Sequence, residues 1–216
     1  MDPRRQTHAY AHAIVPDPTN RFVLVPDLGL DQLFVYRFDE QTGALTPNTP
    51  AFAAIAPGSG PRHVRFHPNG RWVYLINEMA STIVAFAWDA RQGTLAPMQA
   101  ISTLPADFHG VSACAELELH PNGKFLYGSN RGHDSLAVFA IDQDTGRLTP
   151  VEHTASGGKT PRNFAFDPSG KWIVLTNQDS SNAVVFRVDA DTGRLTRTGE
   201  PVPVPSPFCE RFLVVP

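Results

Sequence analysis

His63-Val64-Arg65-Phe66, His67-Pro68-Asn69-Gly70, Arg71, Trp72-Val73-Tyr74-Leu75-Ile76: this stretch decides the fold. It opens with a short alternating run, the period of a strand. A Pro-Asn-Gly turn follows, whose Asn and Gly tolerate positive φ. The next five residues are almost continuously apolar, as in a strand covered on both faces. A polar loop leads to Thr82-Ile83-Val84-Ala85-Phe86-Ala87-Trp88, the segment from Asp89 to Gly93 makes another turn, and a fourth strand starts at Leu95.

The same grammar occurs four times. Asp17-Pro18-Thr19-Asn20-Arg21-Phe22, His67-Pro68-Asn69-Gly70-Arg71-Trp72, His120-Pro121-Asn122-Gly123-Lys124-Phe125 and Asp167-Pro168-Ser169-Gly170-Lys171-Trp172 have prolines 50, 53 and 47 residues apart. Gly43, Gly93, Gly146 and Gly193, each with a leucine two residues on, repeat those spacings. Two markers in one phase establish an internal repeat. Four antiparallel strands per ~50 residues, with no helical stretch between them, describe a β-propeller blade better than a sandwich. The expected fold is therefore all-β: a single domain, 1-216, with repeats at about 12-58, 59-105, 106-155 and 156-203. Pro207-Phe208-Cys209-Glu210-Arg211-Phe212 matches Pro61 to Phe66, so 204-216 is expected to add a lone terminal inner strand.

Composition narrows the function. The 216 residues carry 18 Lys+Arg against 21 Asp+Glu, a net charge of −3, which disfavours a nucleic-acid binder. No apolar run reaches the roughly 18 residues of a membrane helix, and no secretory signal is visible after Met1. Cys114 and Cys209 form neither a disulfide framework nor a CxxC pair and read as small buried residues. The expectation is a reduced, cytoplasmic protein.

Functional positions emerge where the repeats disagree. Nine residues after each turn proline stand Asp27, Asn77, Asn130 and Asn177, read as structural Asx side chains satisfying backbone donors. One residue further, Leu28, Glu78, Arg131 and Gln178 share nothing. Six before the proline are His12, Arg62, Ala115 and Arg162; five before are Ala13, His63, Glu116 and Asn163. First and second strands are antiparallel neighbours, so these sets should share one rim of the central channel. His12, Arg62, Arg162, Glu78 and Arg131 are then expected to converge. Arginines suit bidentate recognition of carboxylate or phosphate, and His and Glu are acid–base groups.

These residues also carry a resemblance. Gly60-Pro61-Arg62-His63 with His67-Pro68-Asn69-Gly70, Asn77-Glu78, and Ser129-Asn130-Arg131-Gly132-His133-Asp134-Ser135 resemble the seven-bladed propeller lactonase family, which includes the bacterial propeller-type 6-phosphogluconolactonase and the fungal carboxy-cis,cis-muconate cyclase. Val25-Pro26-Asp27-Leu28-Gly29 and Pro205-Ser206-Pro207-Phe208-Cys209 are similar to it too. The resemblance implies the active-site set His12, Arg62, Glu78 and Arg131, the four residues the repeat comparison also reaches. Arg162, His63, Asn163 and Gln178 are assigned to substrate binding.

The expected activity is hydrolysis of a sugar lactone, 6-phospho-D-glucono-1,5-lactone first, without metal or other cofactor. Alternatives are a muconate-type lactonising enzyme on a polycarboxylate and a non-catalytic propeller scaffold. The partner is a small anionic lactone, with neither nucleic acid nor membrane. Family members have seven blades, so about three are expected to be missing at the N-terminus. An arc of four blades would leave open edges for self-association. His67 and His120 read as turn residues. His109, His133 and Glu116 read as polar groups without a reacting role. Gly157-Gly158-Lys159-Thr160 lacks the first glycine and the helix of a phosphate loop.

Overall fold

The computed structural model describes residues 2–213. Among the described residues, sixteen strands form four sheets, each of four antiparallel strands in sequence order. The first blade comprises β1 (Val15–Pro16), β2 (Phe22–Asp27), β3 (Gln32–Asp39) and β4 (Ala44–Ala54). The second comprises β5 (Pro61–Phe66), β6 (Trp72–Asn77), β7 (Thr82–Asp89) and β8 (Thr94–Ser102). The third comprises β9 (Ala113–Leu119), β10 (Phe125–Arg131), β11 (Ser135–Ile141) and β12 (Leu148–Ala155). The fourth comprises β13 (Pro161–Phe166), β14 (Trp172–Asn177), β15 (Asn182–Val188) and β16 (Leu195–Pro203). These are the all-β blades that the repeat predicts. The chain divides into two compact units, Met1–Ser102 and Thr103–Pro216, with two blades in each.

The turn chemistry explains the shared grammar. Asp17 Oδ1 accepts the N–H groups of Arg21 and Phe22, both at 2.8 Å, and closes the β1–β2 turn. His67 and His120 stand in for the aspartate: their Nδ1 atoms accept from Asn69 at 3.2 Å and Asn122 at 3.1 Å. Nδ1 is therefore the unprotonated nitrogen of each ring. Both histidines are buried turn residues. The segment Gly157 to Thr160 is a loop leading into β13, not a strand-to-helix phosphate cradle.

Two apolar cores follow from the strand patterns. All six residues of β6 are buried, as a strand covered on both faces requires. In the first unit Phe22, Leu24, Leu33, Val35, Val64, Val73, Leu75, Phe86 and Trp88 pack together. Phe22 and Phe66 meet the Trp88 ring edge-on, with centroids at 5.7 and 5.3 Å. In the second unit Phe125, Tyr127, Leu136, Val138, Phe164, Leu175 and Phe186 form the corresponding cluster. Each such side chain contributes about 1.5–3 kcal/mol on burial.

Three expectations need correction. Cys114 is buried, but Cys209 is exposed. The Asx residues do not share one role. Asp27 Oδ1 accepts from Tyr10, Gly29 and Leu30. The asparagines instead donate: Asn77 Nδ2 to Thr82 Oγ1 at 3.0 Å, Asn130 Nδ2 to the Thr103 carbonyl at 2.8 Å and Asn177 Nδ2 to the Ser156 carbonyl at 3.1 Å. An amide carries N–H groups that a carboxylate lacks. Finally, Val204 to Leu213 form no strand. Pro205 and Pro207 have no N–H to donate to a ladder. The segment is held by Val204 N–H on the Ser181 carbonyl, 3.0 Å, and Glu210 N–H on Asn163 Oδ1, 3.0 Å. The rest of the expected terminal strand, 214–216, lies outside the described residues.

Candidate active site

In the first unit, Asp31 of blade one prepares the entry to blade two. Its buried carboxylate accepts the Gly58 N–H at 2.7 Å and the Gly60 N–H at 2.8 Å. The Gly60 carbonyl in turn accepts the Glu78 N–H at 2.7 Å, fixing the end of β6 against the start of β5. Pairing then slips: Pro61 lies opposite Asn77, but His63 lies opposite Ile76. Arg62 is the extra residue, and a bulge of this kind re-aims a side chain.

The re-aimed Arg62 meets Glu78. Its Nε donates to Glu78 Oε2 at 3.0 Å, and both residues are buried, at 3% and 6% exposure. Arg62 Nη1 lies 3.2 Å from His63 Nε2. The other carboxylate oxygen of Glu78 accepts from Arg5 Nη2 at 2.5 Å, and the Arg5 side chain stays half exposed. One carboxylate thus joins a buried guanidinium to a solvent-reaching one.

Arg5 is not among the positions that the repeats single out, because residues 1–11 precede the first of them. They nevertheless dock. Gln6 Nε2 donates to the Leu28 carbonyl at 2.9 Å, Leu28 N–H to the Tyr10 carbonyl at 2.9 Å and His12 N–H to the Pro26 carbonyl at 3.0 Å. Gly29 permits this approach, since a Cβ there would lie 1.7 Å from the His8 carbonyl oxygen. Gly29, two residues after Asp27, is the local sequence signal of this close approach.

His12 completes the group. Its ring stands edge-on to His63 with centroids 5.1 Å apart. His12 is exposed as a residue, yet partial loss of water around the ring disfavours the imidazolium most; Arg62 and His63 add repulsion, against an opposing attraction from Glu78. The pKa falls to about 4, so His12 is neutral at pH 7 and able to accept a proton. His12, His63, Arg62 and Glu78 are therefore brought together, with Arg5 added.

The remaining predicted positions belong to the second unit. Arg131 is braced against β9, with Nη2 donating to the Cys114 carbonyl at 2.7 Å and Nε to that of Ala113 at 3.3 Å. Arg162 occupies the same bulge position as Arg62, and its guanidinium lies over the Phe208 ring at 5.1 Å. Gln178 N–H donates to the Thr160 carbonyl at 2.9 Å.

Asn163 bridges two acids. Its Nδ2 donates to Glu116 Oε2, while its Oδ1 accepts the Glu210 N–H. Glu210 Oε2 accepts from Thr176 Oγ1 at 2.7 Å, and Glu210 Oε1 is buried without a hydrogen-bond partner among the described residues. Burial, reinforced by the charge of Glu116, pushes the Glu210 pKa up to about 7 against the opposing Thr176 hydrogen bond and Arg211 charge. In the sequence Glu116 reads as a polar group without a reacting role, and Glu210 does not stand out. Their proximity depends on the terminal segment folding back, which no local pattern encodes.

Among known proteins, the family model described as Lactonase, 7-bladed beta-propeller matches residues 1–212. The chain belongs to the seven-bladed β-propeller lactonase family. It is 36% identical over 163 residues to the 6-phosphogluconolactonase of Bacillus subtilis, covering 76% of this chain and 46% of that protein. It is also 36% identical over 156 residues to the 6-phosphogluconolactonase of Serratia proteamaculans, covering 72% and 46%. Among solved structures, this propeller lactonase chain superposes on the periplasmic gluconolactonase PpgL of Pseudomonas aeruginosa with a TM-score of 0.92 and 38% identity, covering 98% of this chain and 59% of that one. It thus spans about half the length of the curated relatives that it matches. No helix among the described residues is long and apolar enough to cross a membrane.

Proposed function

We propose that this chain carries part of the catalytic machinery of a lactone hydrolase whose substrate is 6-phospho-D-glucono-1,5-lactone. The observation that carries the proposal is the buried Arg62–Glu78 pair, flanked by the neutral His12 and by the half-exposed Arg5. The names of the Bacillus and Serratia relatives support the phosphorylated substrate. The product, 6-phosphogluconate, places the reaction in the pentose phosphate pathway, and a cytoplasmic setting accords with that substrate.

In this reading the solvent-reaching guanidinium of Arg5 attracts the anionic substrate, and Arg62, oriented by Glu78, faces the charge that develops on the carbonyl oxygen. His12 takes the proton from the attacking water. The tetrahedral intermediate collapses by breaking the bond between the carbonyl carbon and the ring oxygen, which recovers the proton from His12. Water is added across one ester bond, and no redox equivalent is needed. Within the second unit, Arg131, Arg162, Asn163 and Gln178 are proposed as functional residues in their own right.

The test compares hydrolysis of 6-phosphogluconolactone and of unphosphorylated gluconolactone against their spontaneous rates. Acceleration is expected with both, with the higher kcat/KM for the phosphorylated ester. A folded sample that accelerates neither would overturn the proposal.

A further inference from the structure

The connection that leads into blade three is longer than its counterparts. It runs over 103–112, against 55–60 into blade two and 156–160 into blade four. This loop is pinned onto the end of β10 and the turn after it, where four successive residues each meet a different part of the loop. Asn130 Nδ2 donates to the Thr103 carbonyl at 2.8 Å, and the Arg131 carbonyl accepts from Ser112 Oγ at 3.1 Å. Gly132 lies so close to Val111 that a Cβ there would run into the Val111 carbonyl oxygen. The His133 ring meets the Phe108 ring edge-on, with centroids 4.7 Å apart. His153 on β12 secures the start of the loop, its Nε2 donating to the same Thr103 carbonyl at 3.0 Å. Ala106, Asp107, His109 and Gly110 are exposed and Val111 is 92% exposed, so the attachment rests on few contacts.

Arg131 stands at the centre of this clamp. Three consecutive residues hold it at both ends: Ser112 donates to its backbone carbonyl, and the Ala113 and Cys114 carbonyls accept from its guanidinium. At the equivalent positions of blades two and four, Glu78 and Gln178 donate backbone N–H groups to the Gly60 and Thr160 carbonyls, at 2.7 and 2.9 Å. At Arg131 the loop adds a side-chain tie, which mutation can remove.

We propose that residues 103–112 are a positioning loop for Arg131, with Ser112 and Phe108 the residues that hold its guanidinium in place for the anionic group of the substrate. The inference rests on the reading of Arg131 as a functional residue and adds what keeps it ready. A guanidinium on a turn that is already fixed binds an anion without the entropic cost of ordering its support. Loosening the loop therefore weakens binding through Arg131, although the loosened side chains touch no ligand.

Calorimetric titration of the full chain with 6-phosphogluconate, the expected product, tests this without turnover. Arg131→Ala should weaken binding roughly tenfold or more, as loss of a charge-assisted contact does. Ser112→Ala and Phe108→Ala should each weaken it roughly two- to tenfold, the size of one lost neutral contact. Ser112→Thr, which keeps the hydroxyl, should bind as the wild type does. In an Arg131→Ala background neither loop substitution should change affinity further. Undiminished binding by both loop variants, with Arg131→Ala still weakened, would overturn the positioning role and leave Arg131 in the site. Additive losses in the double variants would overturn it too, because the loop would then act independently of Arg131. Wild type that does not bind, or Arg131→Ala that binds equally well, would overturn the loop's role together with the assignment of Arg131. The expected binding pattern in a chain that hydrolyses neither lactone would overturn the hydrolase reading and leave this inference standing.

Discussion

Arg62 and Glu78 stand sixteen residues apart in sequence and meet at 3.0 Å, both nearly sealed from solvent. The bulge between Pro61 and His63 turns the guanidinium toward the carboxylate, and the Gly60 carbonyl holds the backbone under Glu78. The pair is thus built by the junction of β5 and β6, and its two halves answer differently to mutation. Arg62→Ala leaves a buried carboxylate short of its partner and should cost about 3–5 kcal/mol in denaturant titration. Glu78→Gln keeps the shape and one acceptor. It should leave the fold cooperative while lowering kcat by about 100-fold or more, through loss of control over both arginines. Equal stability of wild type and Arg62→Ala would contradict the buried pairing.

Arg5 contacts the same carboxylate from the solvent side. An ion pair of this exposure is worth roughly 0–1 kcal/mol. Arg5→Ala should therefore leave the melting temperature almost unchanged, raise KM for the phosphorylated lactone and make kcat/KM less sensitive to salt. A KM that does not move would remove Arg5 from substrate attraction.

His12 offers a readout that needs no substrate. Its folded pKa of about 4 lies below the ordinary value of 6.5, so the folded state favours the neutral ring. The stability it confers is complete above pH 6.5 and is lost as pH falls through about 4. An NMR titration of the ring protons should show a midpoint near 4, rising in Arg62→Ala as one repulsive charge disappears. A midpoint near 6.5 in the wild type would show that neither desolvation nor the Arg62 charge acts on the ring as described.

The residues that the sequence made legible are those that repetition places. The four blades follow from two phased markers, and the meeting of Arg62 with Glu78 follows from antiparallel pairing across a tight turn. Other features needed coordinates for physical reasons. The bulges at Arg62 and Arg162 arise from a pairing slip that alternation does not report. The donor role of Asn77, Asn130 and Asn177 depends on which loop lies opposite each amide. Arg5 reaches Glu78 because residues 2–12 dock beside β2 as a strap, through contacts with no period to read. Glu210 meets Asn163 only because a proline-bearing tail turns back across 47 residues of sequence.

That tail carries the last prediction. Glu210 has a folded pKa raised to about 7 from 4.5, so the folded state prefers its protonated form. Burial is the main cause, with the Glu116 charge adding to it. The attachment of residues 204–213 is therefore strongest below pH 4.5 and weakens as pH rises through about 7. The Glu210 amide, donated to Asn163 Oδ1, reports the attachment directly. Its hydrogen exchange, corrected for the intrinsic dependence on pH, should be well protected at pH 5.5 and several-fold less so at pH 8.5. Glu210→Gln removes the charge, keeps a hydrogen-bonding head group and should hold protection constant across that range. If wild type and Glu210→Gln lost protection in parallel, the loosening would have to come from another group, with Glu116 the next to substitute.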